Sequence, residues 1–276
     1  MIKPIQQHDI FLKDVEQVRS SKPESLYVWW LGQSGFLVCW DELVILFDPY
    51  LSDSLTRKYA ETDKPHIRMT EQVVEPGRLD FVDLVTSSHN HTDHLDGDTL
   101  IPLLQSNPRM NLVLPEVNQD FAENRLGGFR EKMIGLKIGE VMEVGPMSIR
   151  GVPAAHEKLS PEFMGFHVTL GPWSLYHSGD TLWVPEIDEA LSGLRTDLAF
   201  LPINGRAPER RVAGNLNGEE AASLAKQCGM GCVIPCHYDM FTFNTASPDF
   251  FVEQCQQKNQ PFKVLQAGER FSLPLR

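Results

Sequence analysis

Three histidines and an aspartate fall within six residues of the segment SSHNHTDHLDGD: His89, His91, Asp93 and His94. A chain with nine histidines in 276 residues produces the pattern H-x-H-x-D-H by chance about 6 times in 10,000, so random placement is a poor explanation. Residues two apart in extended backbone point the same way, so His89 and His91 can hold one cation together. The turn that follows redirects the chain. Asp93 and His94 can then face a second cation a few ångströms off, the separation that two-metal hydrolases use. Two such ions need more than four ligands. His156 in VPAAHEK, Asp180 in YHSGDT and His237 in IPCHYDM each follow an apolar strand, which places each at a sheet edge. Two divalent cations held this way acidify a shared water and polarise a scissile carbonyl or phosphoryl group, so no Ser or Cys nucleophile is required. Imidazole and carboxylate ligands without thiolate suit zinc, manganese or iron alike.

The elements that must position these ligands read mainly as strands. A short helix precedes Leu26 to Leu31, Gly35 to Trp40 and Leu43 to Asp48, three segments whose aromatic and β-branched content predicts an antiparallel meander. The apolar run Phe81 to Ser88 then delivers the histidine cluster at a strand end, where sites on α/β sheets collect. From NLVLP through WSLYHSGD the pattern is strand and turn with few helical stretches. Later segments alternate: a helix around Val184 to Leu191, strand DLAFLPI, helix GEEAASLAKQ, strand CVIPC, helix SPDFFVEQCQQ and a closing strand. No Pro/Gly/Ser linker marks a boundary. The expectation is one α/β domain over residues 1–276, built from two halves as two packed sheets covered by helices.

Composition narrows the function. Asp plus Glu is 37 against 25 for Lys plus Arg, a formal charge of −12, and this balance argues against a nucleic-acid surface, which needs clustered basic residues. No apolar run approaches the roughly 18 residues of a membrane span, and the start lacks the apolar core of a signal peptide. A cytoplasmic protein without a membrane or nucleic-acid partner is expected. The five cysteines are odd in number and contain no C-x-x-C pair. The run Cys228-x3-Cys232-x3-Cys236 passes from a helix end into a strand, so buried free thiols are expected rather than a sulfur metal site.

The seven-ligand series resembles that of the metallo-β-lactamase fold hydrolases: H-x-H-x-D-H, then His, Asp and His. The resemblance implies a four-layer αββα sandwich of two mixed sheets flanked by helices. It also implies that His89, His91 and His156 bind one metal, that Asp93, His94 and His237 bind another, and that Asp180 bridges them. Asp48 in LFDPY matches the family's strand-end aspartate, which stands behind the ligands and orients them. Within that superfamily the strings WWLGQSGF, DPYLSDS, SSHNHTDHLD, YHSGDT, LPINGR, GNLNGEEAA and IPCHYDMFTFNTASPDFF resemble the L-ascorbate-6-phosphate lactonase family. That likeness implies metal-dependent opening of a sugar-phosphate lactone, with Mn2+ the usual ion and Zn2+ or iron as alternatives, and it suggests a homo-oligomer. A phosphodiesterase of the same fold, or a metal-binding protein without turnover, are the competing readings.

Further residues are candidates by position. His177, three residues before Asp180, is a candidate proton donor, although its position in a strand fits a packed histidine better, and Tyr238, beside His237, is a candidate donor to a developing oxyanion. Asn204 and Arg206 lie in the INGR string ahead of Arg210, Arg211 and Asn215, where an arginine fork could hold phosphate. Gln33 in the GQSG turn could line the pocket. His8, His66 and His167 read as ordinary.

Overall fold

The molecule, described over residues 1–275 by a computed structural model, is built from two sheets whose halves follow one plan. Helix α1 (His8–Arg19) leads into β1 (Ser25–Gly32), β2 (Gly35–Trp40) and β3 (Leu43–Phe47), the expected antiparallel meander. After α2 (Ser54–Lys58), the parallel strands β4 (Leu84–Thr86), β5 (Asn111–Pro115) and β6 (Met133–Leu136) extend that sheet, separated by α3 (Gly97–Ser106) and α4 (Gln119–Leu126). A second meander follows: β7 (Val141–Val144), β8 (Met147–Ala155), β9 (Leu159–Leu170) and β10 (Trp173–His177). It too continues in parallel, through α5 (Pro185–Leu191), β11 (Leu198–Pro202), α6 (Gly218–Gln227) and β12 (Cys232–Cys236). Helix α7 (Asp249–Lys258) precedes β13 (Arg270–Pro274), which crosses back to pair with β1 at the edge of the first sheet.

The sheet orders are β13-β1-β2-β3-β4-β5-β6 and β12-β11-β10-β9-β8-β7. Their inner faces pack through aromatic rings, such as Phe36 on β2 and Phe200 on β11, stacked 4.2 Å apart. Burying one such ring contributes about 1.5–3 kcal/mol. Helix α1 lies on β2, α5 on β8 and α6 on β11, with α7 against α6. The result is the four-layer order of helices, sheet, sheet and helices. Among the described residues no helix is long and apolar enough to cross a membrane.

Helix α4 falls in the stretch from NLVLP onward expected to be mainly strand and turn, and α3 precedes that stretch, between the histidine cluster and β5. Pro102 sits inside α3 and hides its periodicity, while α4 is a short polar helix stopped by Gly127 in the left-handed region at φ 69°. The cysteine segment passes from helix to strand as expected, Cys228 capping the end of α6 and Cys232 and Cys236 bounding β12; Cys39, Cys236 and Cys255 are buried, whereas Cys228 and Cys232 are only half-buried.

The register explains where chemistry can sit. β1 and β3 both run antiparallel to β2, and β4 runs parallel to β3; in the other sheet β8, β10, β11 and β12 all run one way. Gln33, Asp48, the segment Ser87–Asp96, His156, Asp180, Asn204 and His237 follow the ends of these strands. They gather at the carboxyl edges, where backbone leaves the sheet and side chains are free to converge.

Candidate metal centre

At that edge the sequence-predicted ligands fall into two adjoining groups. His89, His91 and His156 form one, and Asp93, His94, Asp180 and His237 form the other; within each, one ligand atom per residue lies within 4.8 Å of the others. The three imidazoles of the first group make a triangle with ring centres 4.5, 5.0 and 5.1 Å apart. Asp180 stands between the groups. Its Oδ2 lies 3.7 Å from His156 Nε2 and 3.2 Å from His237 Nε2, and its Oδ1 lies 3.4 Å from His94 Nε2. Asp93 Oδ2 completes the second group, 3.7 Å from His94 Nε2 and 3.6 Å from His237 Nε2.

The surrounding hydrogen bonds decide which ring nitrogens are available. Asp48, wholly buried, accepts from His94 Nδ1 at 2.7 Å, from the Thr86 hydroxyl at 2.7 Å and from the Ser88 amide at 3.1 Å. His94 Nε2 therefore faces the cluster. His156 Nδ1 donates towards the Gly214 carbonyl and Asn215 Oδ1, both 3.0 Å away, which leaves its Nε2 facing inward. The Ser88 hydroxyl sits 3.0 Å from His89 Nδ1 and 3.2 Å from His94 Nδ1. Gly179 makes this contact passable: at φ +60° a Cβ there would lie 2.6 Å from Ser88 Cβ. Asp48, Gln33 and His237 hold left-handed backbone at φ 35°, 50° and 67°, strain of the kind that clusters at functional sites.

A cation fits this arrangement. Among the described residues His89 Nε2, His94 Nε2 and Asp180 Oδ1 are buried without a hydrogen-bond partner, and each such orphan costs about 1–3 kcal/mol. Three lone-pair donors aimed at one cluster are the complement of a divalent ion, and imidazole with carboxylate is a donor set for zinc, manganese or iron. Electrostatics agree. Burial holds the imidazole of His89 well below its usual value, and that of His156 lower as well, so both are neutral ligands. Burial would also discharge His94 and His237, but Asp180 and Asp93 outweigh it, raising His94 well above its ordinary value and His237 to about 9. In this half protons stand where a cation would, and ion binding must displace them.

The centre floors a cavity of about 890 Å³. Its walls include Gln33, whose amide donates to Asp93 Oδ2 at 2.8 Å and lies 3.0 Å from His237 Nε2, and Arg206, which pairs with Glu220 at 3.3 Å. Three expectations are corrected. The Tyr238 hydroxyl donates to the Leu265 carbonyl and its ring stacks on Trp30 at 4.3 Å, so its proton is committed away from any oxyanion. His177 donates from Nε2 to the Ser34 carbonyl at 2.9 Å, accepts from the Gly179 amide at Nδ1, and stacks on Phe47. With both nitrogens engaged it braces the Asp180 turn and lies outside the cavity lining. Asn204 is buried, and its Oδ1 accepts from Asn215 Nδ2 at 3.0 Å. It acts through Asn215 on His156 and does not reach a substrate.

Other residues escaped sequence reasoning. His66, read as ordinary, lines the cavity with its ring stacked on Tyr59 at 4.5 Å and near Phe241 and Phe243. Lys58 and Arg125 also line it. No motif or period marks these positions, because loops far apart in the chain bring them together.

Comparison with known proteins accords with this geometry. The family model described as a beta-lactamase superfamily domain matches residues 44–238, more than half of the chain. A UPF0173 metal-dependent hydrolase of Hyperthermus butylicus is 27% identical over 81% of this chain and 88% of its own. Among solved structures, an isothiocyanate hydrolase from Delia radicum gut bacteria superposes with a TM-score of 0.73 at 18% identity, over 90% of this chain and all of the other. Igni18, a metallo hydrolase from Ignicoccus hospitalis, superposes at 0.68 with 22% identity, over 91% of this chain and all of its own. With its two mixed sheets between helices and its His/Asp clusters at their carboxyl edge, the chain has the metallo-β-lactamase fold and belongs to the beta-lactamase superfamily.

Proposed function

We propose that the protein is a binuclear-metal hydrolase that opens a small anionic lactone or ester, with a sugar-phosphate lactone such as L-ascorbate 6-phosphate as substrate. The observation that carries the binuclear reading is the convergence of three buried, partnerless ligand atoms on two adjoining groups that meet at Asp180. His89, His91 and His156 would hold one ion, Asp93, His94 and His237 the other, with Asp180 between. When bound, divalent ions supply Lewis acidity that lowers the pKa of a nearby water and offsets negative charge developing at the attacked carbonyl.

The chain's own residues supply the rest. Asp48 and Asn215 engage the Nδ1 atoms of His94 and His156, so each Nε2 would meet an ion without the ring reorganising. Asp93 is the more open of the two carboxylates, its side chain 15% exposed against 4% for Asp180. The Gln33 amide anchors its Oδ2 beside His94 and His237, where it would help hold the second ion, and its partial exposure leaves the carboxylate open to hydrogen-bond an attacking water. Gln33 and Arg206 on the walls are placed to orient a polar substrate. The lactone itself is supported by the strings from WWLGQSGF to HYDMF in the sequence.

The test is loss of the ultraviolet enediol absorbance of L-ascorbate 6-phosphate with manganese-reconstituted protein, beside a His91→Ala control. Rapid loss that the control lacks is expected. No loss from protein proven to hold metal discards the lactone, and faster turnover of an aryl phosphodiester replaces it with a phosphodiesterase.

A further inference from the structure

Five cationic side chains line the cavity: Lys58, Lys64, Arg125, Arg206 and Arg211. In a chain of net charge −12 that gathering is unexpected, and the five differ in what answers their charge. Arg206 pairs with Glu220 and Arg211 with Asp63. Lys64 donates to the Arg211 carbonyl at 2.6 Å, beside that second pair. Lys58 and Arg125 have no carboxylate within 4.0 Å among the described residues. Lys58 Nζ instead donates to the Thr92 hydroxyl at 3.0 Å. Arg125 Nη1 donates to the carbonyls of Asn90 at 2.6 Å and Leu95 at 3.2 Å. Its guanidinium is half-buried over the Phe121 ring at 4.5 Å, and among the described residues only Nη1 donates a hydrogen bond. Both side chains therefore grip the loop that carries His91 and Asp93, two residues apart, and among the described residues neither is held in a direct ion pair. A partly desolvated cation is stabilised by an anion brought to it, and a guanidinium with free N–H groups matches the oxygens of a phosphate.

We infer that Lys58 and Arg125 form the subsite for the phosphate group of the substrate, beside the His91–Asp93 loop, and that they rather than Arg206 set the preference for an anion. This rests on the proposed hydrolase reading and adds the residues that select its substrate. Arg206, already paired with Glu220, contributes less.

Manganese-loaded enzyme is titrated calorimetrically with inorganic phosphate, alongside Lys58→Gln and Arg125→Gln with metal content measured in each. Phosphate affinity is expected to fall about tenfold in each variant, the loss of one charge-assisted contact. Absence of phosphate binding to the wild-type holoenzyme, or equal affinity in both variants, overturns the subsite, since phosphate would then rest on the metal ions alone. Lys58 is exposed, so its variant keeps the test sharp if Arg125→Gln unsettles the loop. The second readout is kcat/KM for a phosphorylated lactone against the same lactone without phosphate. That ratio falls about tenfold in each variant if the side chains hold the phosphate, whereas a purely structural role for Arg125 lowers both rates together. Phosphate binding that depends on these residues in an enzyme that opens no lactone would sink the lactone and keep the subsite. Lactone opening indifferent to phosphate would do the reverse.

Discussion

At the floor of the cavity His94 lies between Asp48 behind and Asp180 ahead, all three side chains almost wholly buried, whereas at the mouth Arg211 meets Asp63 with about two thirds of both side chains in solvent. The same pairing of opposite charges does different work in the two places. In the buried setting removing one partner leaves a charge without water or counter-ion, which costs about 3–5 kcal/mol. At the mouth water and salt take over, and an exposed pair is worth about 0–1 kcal/mol. The floor is thus locked into one geometry suited to ion binding, while the mouth can change its residues at little cost to the fold and so tune the substrate.

That contrast can be broken by substitution. Asp180→Ala, at the junction of both ligand groups, should lower turnover about a thousandfold or more and reduce bound metal by elemental analysis. Retained activity in protein shown to lack metal would end the mechanism. Asp48→Asn removes the charge behind His94 but keeps the shape, and metal affinity should fall about 10- to 100-fold in a competition titration with a chelator. An unchanged affinity would mean that the buried network is not what orients the ligand. Asn215→Ala acts on His156 and also strands the Asn204 oxygen. Metal affinity near the lower end of that range and about 1–3 kcal/mol of stability should be lost, read by denaturant unfolding. Tyr238→Phe should cost about 1 kcal/mol of stability by the same measurement, with kcat intact; a large fall in kcat would restore the oxyanion role. Smallest is Arg206→Ala, where breaking the exposed pair with Glu220 should shift unfolding by less than about 1 kcal/mol. A larger shift would erase the distinction between floor and mouth.

Legibility follows the same division. The candidate ligands could be read because their spacing is local or strand-linked: His89 and His91 fall in one group, and His156, Asp180 and His237 each follow an apolar strand. The meanders and the helix Gly218–Gln227, with its Asn217–Glu220 capping box, could be read for the same reason, since period and cap lie within a few residues. Helix α3 could not, because Pro102 masks its period, and α4 is too short and polar to show one. His177 and Tyr238 misled because sequence adjacency to a ligand was read as nearness to the reaction. A strand turns neighbouring side chains to opposite faces, and the turn after β12 sends Tyr238 to Trp30 and Leu265 instead.

What the amino-acid sequence determined by itself was therefore the superfamily, the candidate ligand set and the strands that lead to it, all carried by short-range spacing and apolar runs. What only the tertiary structure decided was which atoms meet: that Asp180 stands between the two groups, that β13 returns to β1, and that Lys58 and Arg125 grip one loop from chain positions 67 residues apart. Those contacts are long-range, made between loops held at the same edge by separately packed strands, and no local period or propensity encodes them.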